Sequence, residues 1–141
     1  MSTIGDNQSL GYGGDTGQSE LELSKMGVLA GSGEILSTGE DMAKFLRIMC
    51  GLDPYPVEGA VDRALVLRGE GEGMLGMGYG WDIDEGPQTV WTKSGLTAGF
   101  TSYFAIQRTP QVGVAILSNR VRHAQIVDAV KTLLNAVADT L

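Results

Sequence analysis

The sequence predicts an α+β fold, an antiparallel β-sheet flanked by helices. Three stretches predict it. Val90 to Asn119 reads as successive strands joined by tight turns, the pattern of an antiparallel meander. Ser37 to Gly51 carries a strong local helix signal. The segment after Asn119 has a long apolar helical face, of the kind that packs on a sheet.

In chain order, Met1 to Gln18 is rich in Gly, Ser, Asp and Asn and reads as a flexible N-terminal loop or linker. Ser19 to Leu23 alternates polar and apolar residues, as a short strand or extended arm does. Gly27 to Gly33 reads as a close-packed loop. Ser37-Thr38-Gly39-Glu40 has capping-box spacing, with Ser37 as N-cap and Glu40 reaching back. Met42, Phe45, Leu46 and Met49 follow at helical spacing, and Gly51 stands where a C′ glycine ends a helix. Val57 to Arg68 reads as a second helix after the Asp53-Pro54 turn. Gly69 to Gly78 reads as a mobile surface loop that borders a cleft. Met77 to Ile83 is a predicted strand, turned at Asp84 to Pro87 into the strand that begins at Val90 and runs on through Lys93-Ser94-Gly95. Phe100 to Gln107 is the next strand. Arg108 to Gln111 is a turn, because Pro110 cannot donate to a ladder. Val112 to Leu117 is apolar enough for a fully buried strand. The last helix presents Val121, Ile126, Val127, Val130, Leu133, Leu134 and Val137.

Composition narrows the function. The 141 residues suit one modest domain, or the larger part of one. Hydrophobic residues make up 43% and charged residues 19%, so the chain has the means to build a core. A formal net charge of -7 argues against nucleic acid, whose phosphates it would repel. No apolar run approaches the ~18 residues of a membrane span. Residues 1–18 lack a charged-then-apolar leader pattern, and nothing in the sequence reports a compartment. Cys50 is the one cysteine, so neither an internal disulfide nor a cysteine-based metal site is available, and a buried structural thiol is expected. His123, the one histidine, reads as a surface or capping residue. No cofactor and no metal are implied.

The residues with chemistry to offer are Lys93-Ser94-Gly95-Leu96-Thr97-Ala98-Gly99-Phe100. A lysine supplies a point charge, and the hydroxyls of Ser94 and Thr97 can donate to a carboxylate. Gly95 removes side-chain bulk, so that a small-molecule ligand can approach the strand backbone. The whole run KSGLTAGFTSYFAIQRTPQVGVAILSN resembles the third motif of the penicillin-recognising serine hydrolases, most closely class C β-lactamases and their relatives among DD-peptidases, D-aminopeptidases and esterases. Leu36 to Phe45 is similar to the helix start that precedes that motif, and Gly78-Tyr79-Gly80-Trp81 to the strand entering it. The resemblance covers about Leu10 to the C-terminus, and it implies a partial β-lactamase/transpeptidase-like fold with residues 19–141 as its C-terminal α/β part. The family is often exported.

The resemblance implies roles as well. Lys93 would lie beside the nucleophile, and Ser94, Gly95 and Thr97 would hold the substrate carboxylate. The backbone N–H of Leu96 would be one of two oxyanion donors. Asn119 matches a family position near the substrate, while its own sequence context reads equally as a cap or turn after a strand. Two further family motifs do not occur in this sequence. No serine has lysine at the third position after it, and no Tyr-x-Asn or Ser-x-Asn is present. A hydroxyl without a base is a poor nucleophile. The expectation is therefore a chain inactive alone, whose partner is the N-terminal nucleophile-bearing region of the same enzyme. The alternative is a non-catalytic binding or self-assembly module. There Val112 to Leu117 would be an exposed edge that pairs with a second copy as a dimer.

Overall fold

The computed structural model describes residues 8–13, 18–70 and 76–141. Its centre is a six-stranded antiparallel sheet in the order β3-β4-β5-β6-β7-β8. The strands are β3 Gly69–Glu70, β4 Gly76–Met77, β5 Asp82–Glu85, β6 Thr89–Thr97, β7 Phe100–Arg108 and β8 Gln111–Ser118. Every neighbour in the sheet is also a neighbour in sequence, so it is built from hairpins alone. A separate two-stranded ribbon pairs β1 Gly11–Gly13 with β2 Ser19–Leu21.

β7 divides the core by strand alternation. Ile106 and Phe104 face one side with Leu46, Met49 and Cys50 of the α1 region, Leu65 and Trp81. Tyr103 and Ala105 face the other side with Val112 and with Ile126, Val130 and Leu134 of the C-terminal helix. Helix α1 is Gly39–Met49, α2 is Ala60–Leu65 and α3 is His123–Ala138. The α+β architecture is thus a sheet with α1 on one face and α3 on the other.

Local chemistry explains most element ends, with some departures from expectation. The N-cap of α1 is Thr38 rather than Ser37. Thr38 has the extended backbone of a cap, and its side chain accepts from the Asp41 N–H at 3.2 Å. Glu40 instead reaches Lys44 one turn on, at 3.0 Å. Gly51, at φ +79, closes α1 as expected. The Leu52 N–H donates to the Arg47 carbonyl and the Gly51 N–H to the Ile48 carbonyl, the two bonds of a Schellman motif.

The expected helix over Val57–Arg68 shrinks to α2, because Gly59 adopts φ +65 before it and Val66 is extended after it. The expected strand over Met77–Ile83 breaks at Gly78–Trp81, where Gly80 turns at φ +77 and Gly78 N–H donates to the Trp81 carbonyl. Asp84 and Glu85 belong to β5, so the turn into β6 falls at Gly86–Gln88. Gly27–Ser32 is a 3-10 turn with no buried residue, not a close-packed loop; Val28 and Leu29 are exposed. Much of the expected loop over Gly69–Gly78 lies outside the described residues, and its described ends pair as β3 and β4. Within Met1–Gln18, likewise only partly described, Gly11–Gly13 is a strand.

β8 is not fully buried. Val112 is, but Leu117 keeps 42% of its surface exposed, because β8 ends the sheet and has β7 as its only strand partner among the described residues. In α3 only Ile126, Val130 and Leu134 are buried, a stripe of fourfold spacing, while Val121 before it and Leu133 and Val137 within it stay exposed. Among the described residues no helix is long and apolar enough to cross a membrane.

Candidate functional site

All the predicted site residues except Asn119 lie on the second half of β6. In its first half, Thr89 to Thr92 pair with β5 on one side, and Trp91 and Thr92 pair with β7 on the other. From Lys93 to Thr97 the strand pairs only with β7. Five residues thus overrun the end of β5 and present an open strand edge among the described residues.

The register fixes where each group points. Thr97 pairs with Phe100 across the tight Ala98-Gly99 turn. Hydrogen-bonded pairs alternate along an antiparallel ladder, so the backbone groups of Thr97, Gly95 and Lys93 bond to β7. Those of Leu96 and Ser94 are then turned to the open edge. Side chains follow the core. Lys93 stands opposite Phe104, so Lys93, Gly95 and Thr97 share the α1 face. Ser94 stands opposite Tyr103, so Ser94 and Leu96 share the α3 face. Ser94 and Thr97 can therefore reach one ligand only around the strand edge, not across a common face.

Lys93, Ser94 and Leu96 are exposed, Leu96 by 58%, and Thr97 is half-buried beside Gly33. Among the described residues Lys93 enters no ion pair; the bridges present involve Lys44, Arg47 and Arg108. Gly95 has a packing reason beside any ligand reason: a Cβ there would collide with Ser102 Oγ across the ladder. Asn119 lies just past β8. Its Nδ2 donates to the Leu10 carbonyl at 3.1 Å, and its own carbonyl accepts from the Tyr12 N–H at 2.9 Å.

Behind the edge the strand is tied to its neighbours. Trp91 Nε1 donates to the Leu65 carbonyl at 2.8 Å, and Trp81 stacks on Phe45 with centroids 6.3 Å apart. Buried Thr101 donates to the Arg120 carbonyl at 2.9 Å and accepts from the Arg122 N–H at 3.2 Å, which shapes the chain after Asn119. Gly99, within the run singled out from the sequence, meets Gly11 and Tyr12 here, and sequence reasoning missed those two. Nothing local marks Gly11 or Tyr12.

The resolved electrostatic shifts lie elsewhere. Asp53 is held below the usual carboxylate range by Arg47, and Lys44 is raised by Glu40 and Asp41. Burial pushes the Cys50 thiol up to about 11 against an opposing pull from Arg108, so Cys50 is a protonated core group at neutral pH and no nucleophile. A cavity of about 270 Å³ lies between α1 and β8, away from the Lys93 edge. Among the described residues no group of three His, Cys, Asp or Glu side chains is placed to hold a metal.

No curated protein sequence matches the chain. The family model described as Beta-lactamase matches residues 4–138, which takes in the sheet, all three helices and the whole Lys93–Thr97 edge. A match of that extent shows that the chain belongs to the Beta-lactamase family.

Proposed function

We propose that Lys93 to Thr97 is the substrate-carboxylate edge of a β-lactamase-like serine hydrolase, and that the acylating serine and its base come from a region outside these 141 residues. The observation that carries this reading is the overrun of β6 past β5, with the Leu96 N–H turned outward. In this reading Lys93 lies beside the nucleophile and favours its anionic form. Ser94 and Thr97 donate their hydroxyls to the substrate carboxylate from the two sides of the edge, and Gly95 leaves the backbone open between them. As the serine oxygen bonds to the acyl carbon, the former carbonyl oxygen becomes an anion, and the Leu96 N–H donates to it. One such donor is worth roughly 3–4 kcal/mol of transition-state stabilisation. The oxyanion then collapses to a carbonyl as the acyl–N or acyl–O bond breaks, the leaving amine or alcohol takes the proton that the base removed from the serine, and water hydrolyses the acyl-serine to the acid and free serine.

The test is reconstitution. The chain alone should not turn over a chromogenic β-lactam or ester, and a purified region bearing Ser-x-x-Lys and Tyr-x-Asn from the same coding sequence should restore turnover. A complex that forms without any gain in rate would count against the reading, as would turnover by the chain alone.

A second reading is favoured by one observation. β8 carries eight residues without a charge or a proline, and its outer side has no strand partner among the described residues. Such an edge suits strand addition by a second copy of the chain. Light scattering at micromolar concentration should then report a dimer; a monomer across that range would dismiss it.

A further inference from the structure

We propose that Asn119 is a positioning residue: through Leu10 and Tyr12 it clasps β1 onto the Ala98-Gly99 turn, and so holds the Thr97 end of the β6 edge. The proposal rests on the edge reading for its functional meaning, but its geometry stands independently. Three hydrogen bonds form the clasp. Asn119 Nδ2 donates to the Leu10 carbonyl, and the Tyr12 N–H is shared between the carbonyls of Asn119 and Gly99, at 2.9 and 3.2 Å. Tyr12 also bridges Arg120 in parallel pairing, and its carbonyl accepts from the Val121 N–H at 3.4 Å.

Close packing makes the clasp specific. Gly99 is buried at φ +75, and a Cβ there would strike the backbone of Gly11 and Tyr12. A Cβ on Gly11 would lie 2.8 Å from the Ala98 carbonyl oxygen and against the Phe100 ring. Two backbones thus touch at glycines on both sides. The turn they meet at is the closure of the β6–β7 hairpin, one residue beyond Thr97 and two beyond Leu96. The bond to Leu10 uses one of the two N–H donors of the Asn119 amide and fixes the side chain, which gives Asn119 a role that needs no substrate contact.

Amide hydrogen exchange by NMR on the full chain tests this. Asn119→Ala and Asn119→Asp each remove the donor to Leu10. Each should speed exchange of the Tyr12 amide by roughly fivefold, the scale of one lost hydrogen bond. Each should also shift the ligand-free resonances of Leu96 to Phe100, while the Ala105 and Ile106 amides keep their protection. Gly11→Ala should reproduce both effects without touching Asn119. Titration with benzylpenicillin should be weaker in all three variants. Unchanged Tyr12 exchange would overturn the proposal, and lost penicillin affinity in that case would make Asn119 a direct contact. Faster exchange without any shift at Leu96 to Phe100 would overturn the positioning role, as would loss of protection throughout β7. If the unaltered chain does not bind benzylpenicillin, the edge reading fails, while the exchange and resonance measurements still decide the clasp.

Discussion

The two halves of β6 share one strand and one partner in β7, yet they do opposite work. Thr89 to Thr92 also pair with β5, bury Thr92 and send the Trp91 indole to the Leu65 carbonyl. Among the described residues, Lys93 to Thr97 lack that second partner, keep Lys93, Ser94 and Leu96 in solvent, and leave alternate backbone groups without a strand partner. The difference teaches how a sheet presents an ordered open edge: the register is set in the buried half, and the exposed half inherits it. Stability should reside in the first half and its supports, and ligand recognition in the second.

Substitution of Ile106 should break the comparison most severely. It is 0% exposed, pairs directly with Trp91 and belongs to the core cluster beneath the buried half. Ile106→Ala should cost ~2–5 kcal/mol in denaturant unfolding. Gly99→Ala should come next, at roughly 1–3 kcal/mol, since it adds left-handed strain to a backbone collision. That loss should fall on the hairpin end and weaken ligand binding with it.

Alkaline pH probes the α1 side of the buried half. The folded Cys50 pKa lies above its ordinary 9.0, so its contribution is present below pH 9 and is lost as pH rises toward about 11. Iodoacetamide should accordingly label Cys50 far more slowly in the native chain than in urea at pH 8; equal rates would place the thiol outside the core. Thr38→Ala removes the α1 cap and should cost about 1 kcal/mol, with no effect on the edge. Lys93→Ala sharpens the comparison from the other side. It should change stability by less than about 0.5 kcal/mol while abolishing retention of a carboxylate ligand. A large stability loss there would mean that Lys93 serves the fold.

The elements that were legible in the sequence are those whose signals are local. β7 and β8 followed from β-branched and aromatic runs around Thr109-Pro110, and the end of α1 followed from Gly51. The Lys93–Thr97 stretch stood out because its residue types suit a carboxylate. Three features were not legible. The cap moved one residue, because Ser37 and Thr38 are adjacent and both able to cap, and it is Thr38 that takes the extended backbone and accepts from the Asp41 N–H. The strand expected over Met77–Ile83 split, because a glycine reads alike within a strand and at a turn until its φ is known. Val28 and Leu29 look like core residues by type, but the tertiary placement of the 3-10 turn leaves them in solvent.

Taken alone, the order of residues decided that this chain forms an antiparallel hairpin meander over β6, β7 and β8, and that a lysine, two hydroxyls and a glycine fall together on the first of them. Periodicity and turn chemistry act over a few residues and need nothing further. Only the tertiary structure decided that β6 outruns β5, that Ser94 and Thr97 stand on opposite faces, and that Gly11 meets Gly99 across the chain. Those are consequences of register and of contacts between residues remote in sequence, which no local pattern encodes.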